Sequence, residues 1–297
     1  MYKNRFLDVI SIKAIIAEFM TMTLFVFVGC GSAVLYSSPP GFVKNSVNDL
    51  QLVNYSWGTI VPLVFGLSIT TLVYATAHLS GQINPAVTLS LVLVNEIGIL
   101  QGALNILSQL AGSVLGAGLL YITIPHASTT TLGSNALAPG VSILNAYIGE
   151  TIMTFILVFV VLECVIKYNR SIAGVNAPII VGLSVFMAHC VLLPLTGCSI
   201  NPARSFGPAL ISNTWEDFWI FATAPFAGGF VAIAVHKLLK PKSLTLTRDV
   251  IGPSIITGAN THPVNNRDIV PVHNQQAIYH DLGLFVGKRK TATSVLP

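Results

Sequence analysis

The tripeptide Asn84-Pro85-Ala86 recurs as Asn201-Pro202-Ala203, and each copy opens an apolar stretch too short to cross a bilayer, in a chain whose other apolar stretches are long enough. Proline at a first helical position has no N–H to leave unsatisfied, and the asparagine before it is a good N-cap, so each tripeptide reads as a helix start. The first of these short helices is expected to run to about Val94 and the second to about Ile211. Short helices that begin inside a membrane chain, at matching places in its two halves, point to a site at the bilayer midplane built from half-helix N-termini.

Hydrophobic residues make up 53% of the 297 and charged residues only 9%, with a mean hydropathy of +0.74. No ordinary soluble domain has that composition, so the chain reads as an all-α integral membrane protein. Six spans are expected, at about Ala14–Tyr36, Trp57–Ala77, Ile97–Ile124, Ile143–Ile166, Ala177–Leu193 and Phe218–Leu239. The first run is long and lacks a small-residue cleavage site, so it is expected to stay as a helix. Within the third, Gly112 and Gly116 have the small-xxx-small spacing that lets helices approach closely.

Glu18 and Glu150 open similar stretches in the two halves, and each half holds three spans. An odd number of spans makes the second half enter from the opposite side, so the repeats, about 14–124 and 143–239, are inverted and their short helices point at each other. Lys3, Arg5, Lys13, Lys167, Arg170, Lys237, Lys240 and Lys242 then fall on one side, with Lys44 and, in the second tripeptide segment, Arg204 on the other, which predicts cytoplasmic termini. Residues 1–13 are expected to form a cytoplasmic N-terminal segment, 14–242 the membrane domain and 243–297 a mostly disordered cytoplasmic tail. In the tail Lys288-Arg289-Lys290 precedes Thr291, Thr293 and Ser294, and with the loop 167–175 it is a candidate regulatory region. Asn54-Tyr55-Ser56 is a formal glycosylation sequon close to the membrane. The four cysteines, Cys30, Cys164, Cys190 and Cys198, show no paired or metal-like spacing, and no cofactor is implied.

The chemistry these residues suggest is selective passage of a small polar molecule. Each half-helix N-terminus carries about half a positive charge, so two meeting at the midplane repel cations. Asn84 and Asn201 are expected to offer side-chain N–H donors to a file of water and to interrupt proton transfer along it. Glu18, Glu150 and His78 are expected to hold the re-entrant loops, because a buried carboxylate accepts loop N–H groups that have no helical partner. A proton-relay role is the other reading of the two glutamates.

Three stretches then carry a resemblance to the aquaporins of the major intrinsic protein family: Ala17-Glu18-Phe19, the run His78 to Thr88, and the run Gly197 to Pro208. The likeness covers about residues 14–240 and implies a right-handed bundle of six spans and two re-entrant half-helices, assembled as a homotetramer with one pore per subunit. It implies a narrow filter of Phe65, His189, Cys198 and Arg204, with Cys198 facing the lumen as a mercurial site. In that filter a ring narrows the lumen, the imidazole and guanidinium supply hydrogen-bond donors, and the fixed charge repels cations. Ser205, Ala209, Phe218 and Trp219 resemble water-type rather than glycerol-type members. The expected function is a passive water-selective channel that excludes protons and ions, in a membrane expected to be the plasma membrane. The alternatives are passage of hydrogen peroxide or another small neutral solute, a secondary transporter, or a membrane protein with a closed pore. No nucleophile–base pair or metal set points to an enzyme.

Overall fold

A computed structural model describes residues 10–37, 47–125, 130–166 and 176–239. The chain divides into two units, Met1–Pro241 and Lys242–Pro297, and the second lies wholly outside the described residues. So do Lys3, Arg5, Lys44, the loop 167–175 and the side chain of Asn54, with whatever was expected of them.

The described residues form helices, with no strand among them. They are α1 (Ile12–Ser37), α2 (Val47–Thr76), α3 (Pro85–Leu93), α4 (Ile99–Thr123), α5 (Ile143–Val161), α6 (Ala177–Thr196), α7 (Pro202–Ser212) and α8 (Phe218–Leu239). Six of them are long and apolar enough to cross a membrane, whereas α3 and α7 are 9 and 11 residues long.

Two boundaries differ from expectation, and the fourth span reaches Ile166 as expected but not as regular α-helix throughout. The apolar span of α2 does begin at Trp57, but the helix starts at Val47, because a polar sequence continues the hydrogen-bond ladder beyond the apolar part. α5 ends as a regular helix at Val161 and runs on as a π turn, Leu162–Ile166, where Glu163 accepts a hydrogen bond from His236 Nδ1 at 2.8 Å. α6 passes Leu193 and carries Pro194 within it; it stops at Gly197, whose φ of 74° is the left-handed cap that glycine adopts without strain.

The packing obeys an exchange rule. If α1, α2, α3 and α4 are swapped with α5, α6, α7 and α8, the packed pairs map onto one another: α1 on α4 becomes α5 on α8, α4 on α7 becomes α8 on α3, and α2 on α6 maps onto itself. This is the contact pattern of two related halves that interlock through their re-entrant helices.

Small residues make the tightest crossings. A Cβ on Gly112 would stand 2.4 Å from the Phe19 carbonyl oxygen, and one on Gly116 would stand 2.4 Å from that of Thr23, so α4 lies against the α1 backbone. Gly118 faces open space. Gly116→Ala is therefore expected to destabilise the detergent-solubilised protein by about 1–3 kcal/mol through overpacking, while Gly118→Ala stays within about 0.5 kcal/mol of wild type. Thermal unfolding checks this, and equal midpoints for the two variants would contradict the close approach.

Candidate functional site

The site begins with backbone that has no helical partner. Between α2 and α3 the chain turns back at membrane depth, and lipid offers no water to satisfy its N–H groups. Glu18, fully buried on α1, supplies the acceptors. Its Oε1 receives the amides of Gly81 (3.0 Å) and Gln82 (2.8 Å) and the hydroxyl of Ser80. Its Oε2 receives the amide of Ile83 (2.8 Å) and Gln109 Nε2 (2.7 Å). Three successive backbone N–H groups converging on one carboxylate form an anion-binding nest.

The second half repeats the device with fewer donors. Glu150, also fully buried, accepts Thr196 Oγ1 (2.6 Å) and the amides of Ser199 (2.9 Å) and Ile200 (2.7 Å). His78 does not join the glutamates: it is exposed just beyond α2 and makes no hydrogen bond among the described residues. The reason lies in the chain, since Ser80 and the amides from Gly81 to Ile83 already fill the Glu18 carboxylate.

The two loops are tied to each other at the half-helix N-termini. Asn84 Oδ1 accepts the amide of Ala86 (2.9 Å), and its Nδ2 donates across the midplane to the carbonyl of Ile200 (2.8 Å). Asn201 Oδ1 accepts the amides of Ala203 (3.1 Å) and Arg204 (3.2 Å), while its Nδ2 donates to the carbonyl of Ile83 (2.7 Å). An amide nitrogen has two hydrogens, so each asparagine caps its own helix, ties the other half and retains one N–H. Pro85, Ala86, Pro202 and Ala203 are all buried behind this junction.

Ile83 and Ile200 adopt φ of 49° and 45°, left-handed values that are rare for a β-branched residue and cost about 1–3 kcal/mol each. Both are over-determined: each N–H is held by a glutamate and each carbonyl by the opposite asparagine.

Phe65, His189, Cys198 and Arg204 are all buried, and Phe65 brings His189 and Arg204 together. The His189 ring stacks on Phe65 at 4.0 Å between centroids, and Arg204 Cζ lies 5.2 Å from the Phe65 ring centre. Cys198 has a φ of 54° and is fully buried. His189 Nδ1 lies 2.9 Å from the Val185 carbonyl, which keeps the proton on that nitrogen. The neutral ring thus turns Nε2 inward as an acceptor, where the sequence had led us to expect a donor. His189 Nε2 and Arg204 Nε are both buried with no protein partner, the one an acceptor and the other a donor.

Sequence reasoning missed the residue that fixes the arginine. In the uncharged loop before α5, Asn135 Oδ1 accepts Arg204 Nη1 (3.0 Å) and Ser205 Oγ (2.7 Å), and its Nδ2 donates to the Thr196 carbonyl (3.0 Å). The Gly133 carbonyl takes a further hydrogen bond from Arg204 Nη1 (2.7 Å) and that of Gly197 one from Nη2 (3.4 Å). A buried guanidinium is thereby balanced by oxygen dipoles rather than by a carboxylate. Nothing in the sequence spacing marked Asn135; only its amide in a loop with no charge to offer Arg204 hinted at it. Ala209 is buried, Phe218 packs edge-on against Trp215, and the exposed Trp219 leans on Tyr147.

Asn84 and Asn201 also line a cavity of about 520 Å³ whose walls do not include Phe65, His189, Cys198 or Arg204. Ile69 and Val73 continue the face of α2 that bears Phe65, and Val185 and Val181 continue the face of α6 that bears His189, each at four-residue spacing. No carboxylate, amine or guanidinium lines the cavity among the described residues. The arrangement is an apolar cavity that ends on two tied amides, with the buried group of Phe65, His189 and Arg204 outside its lining.

The family model described as Major intrinsic protein matches residues 6–236. Aquaporin-1 of Sus scrofa and of Homo sapiens are each 38% identical over 237 residues, covering 79% of this chain and 85% of theirs. Aquaporin-1 of Canis lupus familiaris is 39% identical over 238 residues with the same coverage. An X-ray structure of the aquaglyceroporin from Plasmodium falciparum aligns with a TM-score of 0.64 at 22% identity, covering 77% of this chain and 96% of that one, a likeness of fold.

Glu18→Gln places an NH₂ group among donors and removes the negative charge. The variant is expected to weaken at least two hydrogen bonds of about 1.5–3 kcal/mol each and to lower thermal stability and permeability together. An unchanged unfolding midpoint in detergent would contradict the anchoring role.

Proposed function

The chain belongs to the major intrinsic protein family and is a membrane-embedded water channel, not an enzyme; from that premise we propose how its residues make the pore selective for water and closed to protons, ions and glycerol. The observation that carries the reading is the reciprocal tie of Asn84 to Ile200 and of Asn201 to Ile83. A water molecule at the junction meets one N–H from each asparagine and gives both acceptor positions to them, so its own hydrogens point away along the file in both directions. A proton arriving from either side finds no lone pair to accept it. The facing N-termini of α3 and α7 oppose cations at the same place.

The filter then selects by width and by paired polarity. Phe65 and His189 leave little room, while His189 Nε2 accepts from and Arg204 Nε donates to the same small molecule. Ser205 supports a water-type filter for a local reason: it donates to Asn135 Oδ1, the oxygen that also holds Arg204. An aspartate there, as in glycerol-type members, has no proton to donate, and its charge would compete for the guanidinium. Ala209, Phe218 and Trp219 agree with the same subgroup.

A secondary transporter would need titratable groups along its path. Glu18 and Glu150 are consumed by loop N–H groups, which argues against both a relay role and proton coupling. Cys198, in the filter, is the residue proposed to react with mercurials. A homotetramer in the plasma membrane with cytoplasmic termini completes the reading; Lys13 at the start of α1 and Lys237 at the end of α8 lie on one side under it.

Stopped-flow light scattering of proteoliposomes tests the proposal. Water is expected to cross far faster than in empty liposomes, with glycerol at the empty-liposome rate. His189→Gly is expected to admit glycerol, and Cys198→Ser to abolish inhibition by mercury. Glycerol flux in wild type comparable to water flux would overturn the filter assignment.

A further inference from the structure

Gln101, Asn105 and Gln109 occupy one face of α4 at four-residue spacing, and the first two belong to a single string of hydrogen bonds. The Ser11 amide donates to Gln101 Oε1 (2.7 Å), Gln101 Nε2 to Asn105 Oδ1 (2.7 Å), and Asn105 Nδ2 to Gln82 Oε1 (3.1 Å). Gln82 Nε2 then donates to Ser80 Oγ (3.1 Å), whose hydroxyl donates to Glu18. Every donor in the string points the same way, from the start of α1 toward the buried carboxylate. Such a string polarises its members cooperatively and leaves each amide only one orientation that fits.

Ser80 and Gln82 are the members that line the vestibule, and Gln82, two residues before Asn84, has the longer side chain. Its oxygen is turned to α4 by Asn105, which is 1% exposed, and by Thr88 Oγ1 at 2.8 Å. The second half has no counterpart to this need, because Ser199 stands two residues before Asn201 with a side chain that ends on Ser205 Oγ at 2.6 Å. Gln82 is longer, and unrestrained it reaches into the cavity.

We propose that Asn105 is a positioning residue for the pore, holding the Gln82 carboxamide against the vestibule wall so that Asn84 and Asn201 are the amides that permeating water meets. The inference rests on the vestibule being part of the water path. With Asn105 lost, only Thr88 Oγ1 and Ser80 Oγ would hold the carboxamide, and each time it swings free it would present two donors and an acceptor just inside the asparagine junction, bind water there and obstruct the file.

Asn105→Leu keeps the size of the side chain, suits a membrane helix and removes the donor to Gln82. In proteoliposomes of matched protein density it is expected to lower unit water permeability about fivefold, equivalent to about 1 kcal/mol, and to raise its activation energy. Glycerol exclusion is expected to persist, since the filter lies beyond the asparagine junction. The decisive arm is Gln82→Ala/Asn105→Leu, which is expected to return to the permeability of Gln82→Ala alone, a rescue that a merely structural role for Asn105 would not produce. Permeability of Asn105→Leu equal to wild type, or a double variant as slow as Asn105→Leu, overturns the proposal. If Asn105→Leu fails to reach the membrane, Gln101→Leu replaces it: a smaller reduction that vanishes in the Gln82→Ala background supports the proposal, and no reduction overturns it. Wild type that conducts no water would instead contradict the channel reading itself.

Discussion

Two buried carboxylates receiving the N–H groups of two re-entrant loops are the interaction on which the other features depend. Lipid cannot hydrogen-bond to backbone, so a chain that turns back at membrane depth must bring its own acceptors. Glu18 and Glu150 do so from the first helix of each half. Only with the loops held can Pro85 and Pro202 start helices at the midplane, and only then do Asn84 and Asn201 stand close enough to reach each other's backbone. The left-handed conformations of Ile83 and Ile200 are the strain this arrangement imposes, and the same hydrogen bonds offset it.

The halves share this plan but dress it differently. Around the first loop four carboxamides, Gln82, Gln101, Asn105 and Gln109, join the hydroxyls of Ser80 and Thr88; around the second the hydroxyls of Ser199 and Ser205 stand with one carboxamide, Asn135, and a charged Arg204. The difference matches the two ends of the pore. Under the proposed function, an uncharged vestibule needs walls that do not hold water, whereas a filter needs one donor and one acceptor to replace the hydration that a small molecule leaves behind. Arg204 is compatible with the membrane because Gly133, Asn135 and Gly197 supply oxygen atoms to its guanidinium.

Much of this was legible in the chain itself, because lipid turns composition into topology: spans such as Phe218–Leu239 follow from length and apolarity alone. The paired tripeptides and the paired glutamates likewise revealed the inverted halves. What stayed hidden depended on groups brought together from distant segments. Asn135 and Arg204 are joined across a loop that no periodicity describes, and the tautomer of His189 is set by a carbonyl one helical turn away, so the ring accepts where a donor was expected. His78 was misread because a histidine beside the loop is a plausible support, while the backbone nest on Glu18 needed none. The polar first turns of α2 were hidden for a simpler reason: the membrane limits the apolar span, not the helix.

The tied asparagines make a testable distinction between water and protons, which any open aqueous pore would fail to draw. Water and proton fluxes measured in the same proteoliposomes, by light scattering and by an entrapped pH-sensitive dye under a clamped pH gradient, test it most directly. The account predicts water flux rising with protein density while proton flux stays at the empty-liposome level; proton flux rising in step with water flux would contradict it.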